Sequence, residues 1–242
     1  MSESLSAMSE QKTVLADAVY ERLKARIMDQ VYLPRQRLNI DALAIDLSVS
    51  PTPIREALAR LAAERLVTFE PFKGYRVSPL LTTAQVADLM HVRRLIEVDA
   101  ARLAARRILI PDLITVERLL QQILDESACV EVGSWSHGYR QFNQLDKRFH
   151  ETIVNAAGNQ FLLTAYRSLN IHLELGRFYH VFGEMDQTQT CVEHNVIFQA
   201  LRAHQPDEAA AAVEQHLHAT EERIFRLIEK YPHPHAANGA IP

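Results

Sequence analysis

Apolar residues recur at helical spacing along most of the chain. Val19, Leu23, Ile27 and Met28 form one stripe and predict a helix from about Leu15 to Asp29. The stretch "YLPRQRLN" interrupts it. A short helix over Ile40 to Leu47 follows, then "SVSP", then a strongly patterned helix over Thr52 to Glu64. The period then changes. "LVTFEPFKGYRVSPL" holds two short β runs, Thr68 to Glu70 and "YRVSP", around the turn "PFKG".

A hairpin directly after a helix-turn-helix is the layout of a winged helix. Beyond Pro79 the pattern is helical almost to the end: Thr83 to Leu109, Asp112 to Val130, Trp135 to Ala157, Gln160 to Phe182, Thr188 to His204 and Pro206 to Lys230. Pro111, Gly133, Gly158-Asn159 and Gln205-Pro206 punctuate it. The expected organisation is a disordered N-terminus (1–12), a winged helix-turn-helix (13–80), an all-helical antiparallel bundle (83–231) and a disordered tail (232–242). The predicted fold class is mainly α.

Composition narrows the function. The 242 residues carry a formal charge of -4, so the chain as a whole is no polycation and any nucleic-acid contact must be local. Cys129 and Cys191 make neither a disulfide framework nor a cysteine-based zinc site. The polar start is unlike a signal peptide, and no apolar run approaches a membrane span. A cytoplasmic protein without membrane contact is expected.

The segment "VSPTPIREALARLAAERLV" shows where a local contact could form. Ser50 or Thr52 can cap the helix, and prolines in a first turn cost little because their missing N–H would lack a partner. Arg55 in that turn opposes the helix dipole, which makes sense if an anion stands opposite it. Arg60 projects from the same helix. Between Pro51 and Arg76, five basic side chains against three acidic ones leave a local +2, with Lys73 at the hairpin tip. The plainer alternative is an ordinary helix with solvated arginines.

The eleven histidines divide by phase. Asp146 and His150 stand at i and i+4 beside Phe142, Phe149, Ile153 and Ala157. His194 shares a stripe with Ile197, Phe198 and Leu201, and His216 one with Val213, Leu217 and Ile224. One divalent ion would satisfy three inward histidines and an aspartate on three helices, and bundle cores host such sites. Hydrogen-bonded core histidines are the alternative.

The stretch from Tyr20 through "LKARIMDQVYLPRQRL", "LAIDLSVSPTPIREALARLAAERLV" and "GYRV" resembles the N-terminal domain of GntR-type bacterial transcription regulators. The resemblance implies a homodimer on a palindromic double-stranded operator, touched by Ser50, Thr52, Arg55 and Gly74. This chain has Pro51 where relatives often carry arginine, Pro34-Arg35 where they have "PG", and Glu64-Arg65 where they have "EG". Arg35 is therefore an additional candidate contact. "LDKRFHETIVNAAGNQFL", "EHNVIFQAL" and "AAVEQHL" resemble the FCD effector domain of the FadR subfamily. That likeness implies metal ligands at Asp146, His150, His194 and His216, and a small carboxylate effector beside the ion.

Arg93 matches a family arginine that often faces the pocket, and it shares a face with Leu89, Ile96 and Ala100. His172 is a second candidate effector contact. Zinc is the first choice of metal, with nickel, manganese and iron(II) also suited. The function expected is a metabolite-responsive regulator, a repressor, and not an enzyme. The alternatives are a metal-dependent hydrolase or oxygenase in the bundle, for which no general base is evident, and a purely structural metal.

Overall fold

The computed structural model describes the backbone of residues 2–29, 31–129, 135–177 and 187–230, and the side chains of 15–29, 31–126, 141–169 and 187–230. The chain forms two compact units that meet in sequence at Leu80 and Leu81.

The first unit holds α1 (Ser2–Met28), β1 (Arg37–Leu38), α2 (Ile40–Leu47), α3 (Pro51–Ala63), β2 (Val67–Glu70) and β3 (Gly74–Val77). The segment 1–12, expected to be disordered, is helical from Ser2. Its alanine, glutamate, glutamine, leucine and methionine are good helix formers, and neither glycine nor proline interrupts them. α1 lays Val19, Tyr20, Leu23 and Ile27 against α3, whose Ile54, Ala57, Leu58 and Leu61 are fully buried. The Tyr20 hydroxyl donates to the Glu64 carboxylate at 2.7 Å, fixing α1 to the end of α3.

Asn39 starts α2 by accepting the Asp41 and Ala42 N–H groups. Ser48 ends it in the left-handed region, and the chain turns into α3 within three residues. The β run is a three-stranded antiparallel sheet in the order β1-β3-β2, with Phe69 opposite Tyr75 and Arg37 opposite Arg76. β1 is too short to leave a period-two signal, so the sequence pattern shows only the hairpin.

Two of the three departures from the family pattern fall at one kind of place. Arg35 has φ 66° and Arg65 φ 60°, both left-handed. Glycine is the low-cost residue there, and arginine carries a backbone cost of about 1 kcal/mol at such a position.

The second unit holds α4 (Thr83–Arg107), α5 (Ile110–Cys129), α6 (Trp135–Ala156), α7 (Gln160–Arg177), α8 (Gln187–Arg202) and α9 (Pro206–Lys230). Thr82 opens α4 with a reciprocal cap: its hydroxyl accepts from the Gln85 N–H, and its own N–H donates to the Gln85 side chain. α4 packs along α9 and also touches α6, α7 and α8, which makes it the central element. Its Ile96 and Ala100 meet Val154, Ala157, Leu163 and Tyr166 in a buried cluster. Arg94 reaches α9 and donates to Glu221 at 2.7 Å. None of the described helices is long and apolar enough to cross a membrane.

Candidate metal centre and nucleic-acid interface

The apolar stripes of α6, α8 and α9 set the phase of the polar residues between them. They turn Asp146, His150, His194 and His216 inward, where all four are buried. One potential ligand atom from each lies within 4.8 Å of the others. The Asp146 Oδ1 is 3.3 Å from His194 Nε2 and 3.7 Å from His150 Nε2. Neither contact has hydrogen-bond geometry: His150 Nε2 and both ring nitrogens of His194 lack a hydrogen bond among the described residues. Buried nitrogens of this kind normally find a partner. Three imidazoles and one carboxylate around a common centre fit a divalent transition ion.

Two of the histidines are held from behind. His150 Nδ1 is 2.8 Å from Glu97 Oε2, and His216 Nδ1 is 2.8 Å from Glu193 Oε2. Each carboxylate is in turn held by an arginine. Arg93 donates to Glu97 from Nε at 2.6 Å and from Nη2 at 3.3 Å. Arg223 donates to Glu193 at 2.7 and 2.8 Å. These arginine–carboxylate–histidine chains fix each ring so that Nε2 faces the centre, and they raise its strength as a ligand.

The charges agree with this. Burial alone would raise both carboxyls. The Arg93 and His150 charges bring Glu97 to about 2, and hydrogen bonds from Arg223 and His216 bring Glu193 to about 2. Burial lowers His194, and it lowers His216 to about 3 against the pull of Glu193. Both rings are therefore neutral near pH 7, the form that binds metal.

A pH dependence follows. His216 titrates at an ordinary 6.5 when unfolded and at about 3 when folded. Within that window the unfolded chain binds more protons, so stability rises with pH and is lost as pH falls below 6.5. Glu193 acts in the same direction lower down, losing its contribution as pH drops from 4.5 toward 2. Chelator-treated protein is expected to lose about 1 kcal/mol per pH unit below the histidine's ordinary value. Denaturant melts across that range test it, and a His216→Gln protein with an equally steep slope would refute it.

Arg93 is inward as its helix phase predicts and is buried with Glu97. Its Nη1 meets the Met90 sulfur at 3.8 Å, with no oxygen or nitrogen acceptor on it among the described residues. The His172 side chain lies outside the described residues. Sequence reasoning missed Glu97, Glu193 and Arg223. The i,i+4 spacing of Arg93 and Glu97 was visible, but it reads equally well as a solvated surface pair.

In the first unit, Ser50 occupies the N-cap of α3 but makes no side-chain cap, contrary to the capping role expected of it. Pro51 and Pro53 also leave this turn without two of its N–H groups. Ser50, Thr52 and Arg55 are exposed, and Arg55 has no hydrogen-bond or ion-pair partner among the described residues. Arg60, expected beside it on the DNA, faces α1 instead: it pairs with Asp17 and lies 4.1 Å over the Tyr20 ring. Lys73 sits at the wing tip, 3.0 Å from Glu70, and Gly74 takes φ 82° with open space around it. Arg35 is exposed, and its carbonyl accepts from Arg76.

Comparison with known proteins gives these two sites their setting. Residues 15–77 match "Bacterial regulatory proteins, gntR family", and residues 88–219 match "FCD domain". The Nta operon transcriptional regulator of Aminobacter aminovorans is 30% identical over 198 residues, spanning 81% of this chain and 88% of that one. The HTH-type transcriptional repressor RspR of Escherichia coli (strain K12) is 26% identical over 219 residues, spanning 86% and 88%. A transcriptional regulator GntR from Rhodococcus sp. RHA1 shares the fold, with a TM-score of 0.69 at 22% identity over 90% of this chain and 98% of that one. The winged unit with its free Arg55 and the helical unit with its histidine cage thus belong to one known architecture: the chain is a member of the GntR family of bacterial regulatory proteins, carries an FCD domain, and is a transcription regulator rather than an enzyme.

Proposed function

We propose that the protein is a homodimeric repressor of the FadR subfamily that releases a palindromic operator, in the cytoplasm, when a small carboxylate binds beside a divalent metal. Asp146, His150, His194 and His216 would hold the ion, zinc foremost. The ion would supply positive charge and open coordination positions for an anion. Ser50, Thr52, Arg55, Lys73, Gly74 and Arg35 form the proposed DNA contact set. Arg60 is omitted because Asp17 and Tyr20 engage it.

Arg93 carries the effector reading. It is buried, linked through Glu97 to the proposed ligand His150, and has one guanidinium nitrogen whose hydrogen-bond contact among the described residues is the Met90 sulfur. A carboxylate bridging that nitrogen and the ion would be bound from two sides. The apolar walls, Leu89, Phe142 and Phe198, favour a short organic or sugar acid. His172 on α7 remains a candidate second contact.

Arg93→Lys keeps the charge but loses the planar fork, so the acid concentration needed for release should rise roughly tenfold, about 1.4 kcal/mol. DNA affinity without acid should hold. The experiment titrates operator release with galactonate, gluconate, citrate and malonate, using wild type, Arg93→Lys and chelator-treated protein. Release by a neutral molecule, or equal responses from all three proteins, would sink the carboxylate reading.

A further inference from the structure

The wing tip carries a residue that the fold does not explain. Phe72 is 107% exposed, the most open large apolar side chain among the described residues. It lies in the turn Glu70-Pro71-Phe72-Lys73, closed by the Lys73 N–H donating to the Glu70 carbonyl at 3.1 Å. Phe72 takes φ 64°. Proline second and positive φ third is the signature of a type II turn, whose third position ordinarily holds glycine or asparagine. A phenylalanine there bears backbone strain and keeps its ring in water, so it contributes nothing to folding that glycine would not.

What surrounds the ring names its partner. Lys73 follows it, and Arg76, Arg37 and Arg35 stand on the adjoining strands and their entry. Glu70 is the acidic residue of the hairpin, and Lys73 offsets it. Behind the tip, Phe69 and Tyr75 meet across the strands as a tilted pair, with ring centroids 4.9 Å apart and planes at 50°, stiffening the hairpin. An apolar point next to Lys73, on a small sheet that also carries Arg37 and Arg76 and on the unit that bears the exposed Arg55, suits the minor groove of a duplex. Proteins commonly insert apolar side chains between base steps there while basic residues meet the flanking phosphates. A bare protein surface would match the ring but not the surrounding charge.

We propose that Phe72 is an apolar wedge that the wing presses into the minor groove of bound DNA. It contacts the sugars and partly opens a base step, while Lys73 holds the adjacent phosphate. This rests on reading the first unit as the DNA-contacting unit.

The test uses the full-length protein and the tightest duplex that wild type recovers from a randomised library. Fluorescence anisotropy at several salt concentrations gives affinity and salt slope, and energy transfer between labelled duplex ends reads bending. Phe72→Ala should weaken binding about tenfold per half-site, the scale of losing one aromatic–base contact. It should straighten the duplex and leave both the melting temperature and the salt slope unchanged, since no charge is lost. Phe72→Leu should retain most of the affinity. Lys73→Ala should instead reduce the salt slope by about one per chain. Binding and bending of Phe72→Ala that match wild type, while Arg55→Ala loses affinity, overturn the wedge alone. If Arg55→Ala also binds like wild type, the reading of the unit itself falls.

Discussion

Replacing Arg55 with alanine is expected to abolish tight operator binding while leaving the fold intact. The side chain is exposed in the first turn of α3 and has no partner among the described residues, so its removal exposes no cavity and strands no charge. What is lost is a two-pronged donor at a groove edge, worth about 1–3 kcal/mol per half-site. The proposed dimer would lose it twice, which multiplies to roughly a hundredfold or more in affinity. Pro51 and Pro53 sharpen the expectation. With two N–H groups absent from the turn, fewer backbone donors remain to take over the arginine's anion. Anisotropy at fixed salt with a matched melting curve decides the matter, and unchanged affinity would remove the centre of the DNA reading.

The second large effect concerns the cage. Purified protein is expected to carry about one divalent ion per chain, and His216→Ala or His194→Ala to carry little. A bound ion stabilises by mass action, about 2.7 kcal/mol at a hundred times its dissociation constant. Wild type treated with a strong chelator should therefore melt well below untreated protein, and the His216→Ala protein should be insensitive to chelator. Glu193→Gln should leave the four proposed ligands in place yet weaken the ion about tenfold or more, because His216 then faces a neutral amide in place of the charged carboxylate that Arg223 holds. Elemental analysis by mass spectrometry reads all of these. Equal metal in wild type and His150→Ala would defeat the four-ligand assignment.

The parts of this molecule that the sequence revealed share a physical cause. The inward turn of Asp146, His150, His194 and His216 was legible because each lies in an apolar stripe, and a stripe fixes which way every residue on it turns. The inward direction of Arg93 was legible for the same reason. The groups behind the ligands were not. Glu97, Glu193 and Arg223 are charged residues on amphipathic helices, and only the packing of α4 against α6, and of α8 against α9, decides that they are enclosed rather than solvated. Arg60 failed in the opposite way: its phase allowed a groove contact, but Asp17 and the Tyr20 ring on α1 hold it. In the loops, residue type alone does not give a dihedral. The missing glycines at Arg35 and Arg65 were visible, while the left-handed backbone beneath them was not.

The order of the small sheet has a mechanical consequence. β3, which carries the outgoing limb of the wing, is clamped on both sides: β2 pairs with one edge, and β1 with the residues leading into it holds the other, the Arg35 N–H donating to Val77 and the Val77 N–H to Gln36, both at 2.9 Å. Ser78, just beyond, ties to the exit of α3 through Leu66 and Arg65. The base of the wing thus cannot hinge away from the recognition helix without breaking bonds on two edges at once. The reading head behaves as a stamp rather than as a pair of fingers. A stamp cannot be blunted from within by a distant ligand; it can only be lifted or turned as a whole. Release from DNA would then leave the head's internal amide exchange protection unchanged, which gives deuterium labelling a signature separating repositioning from local melting.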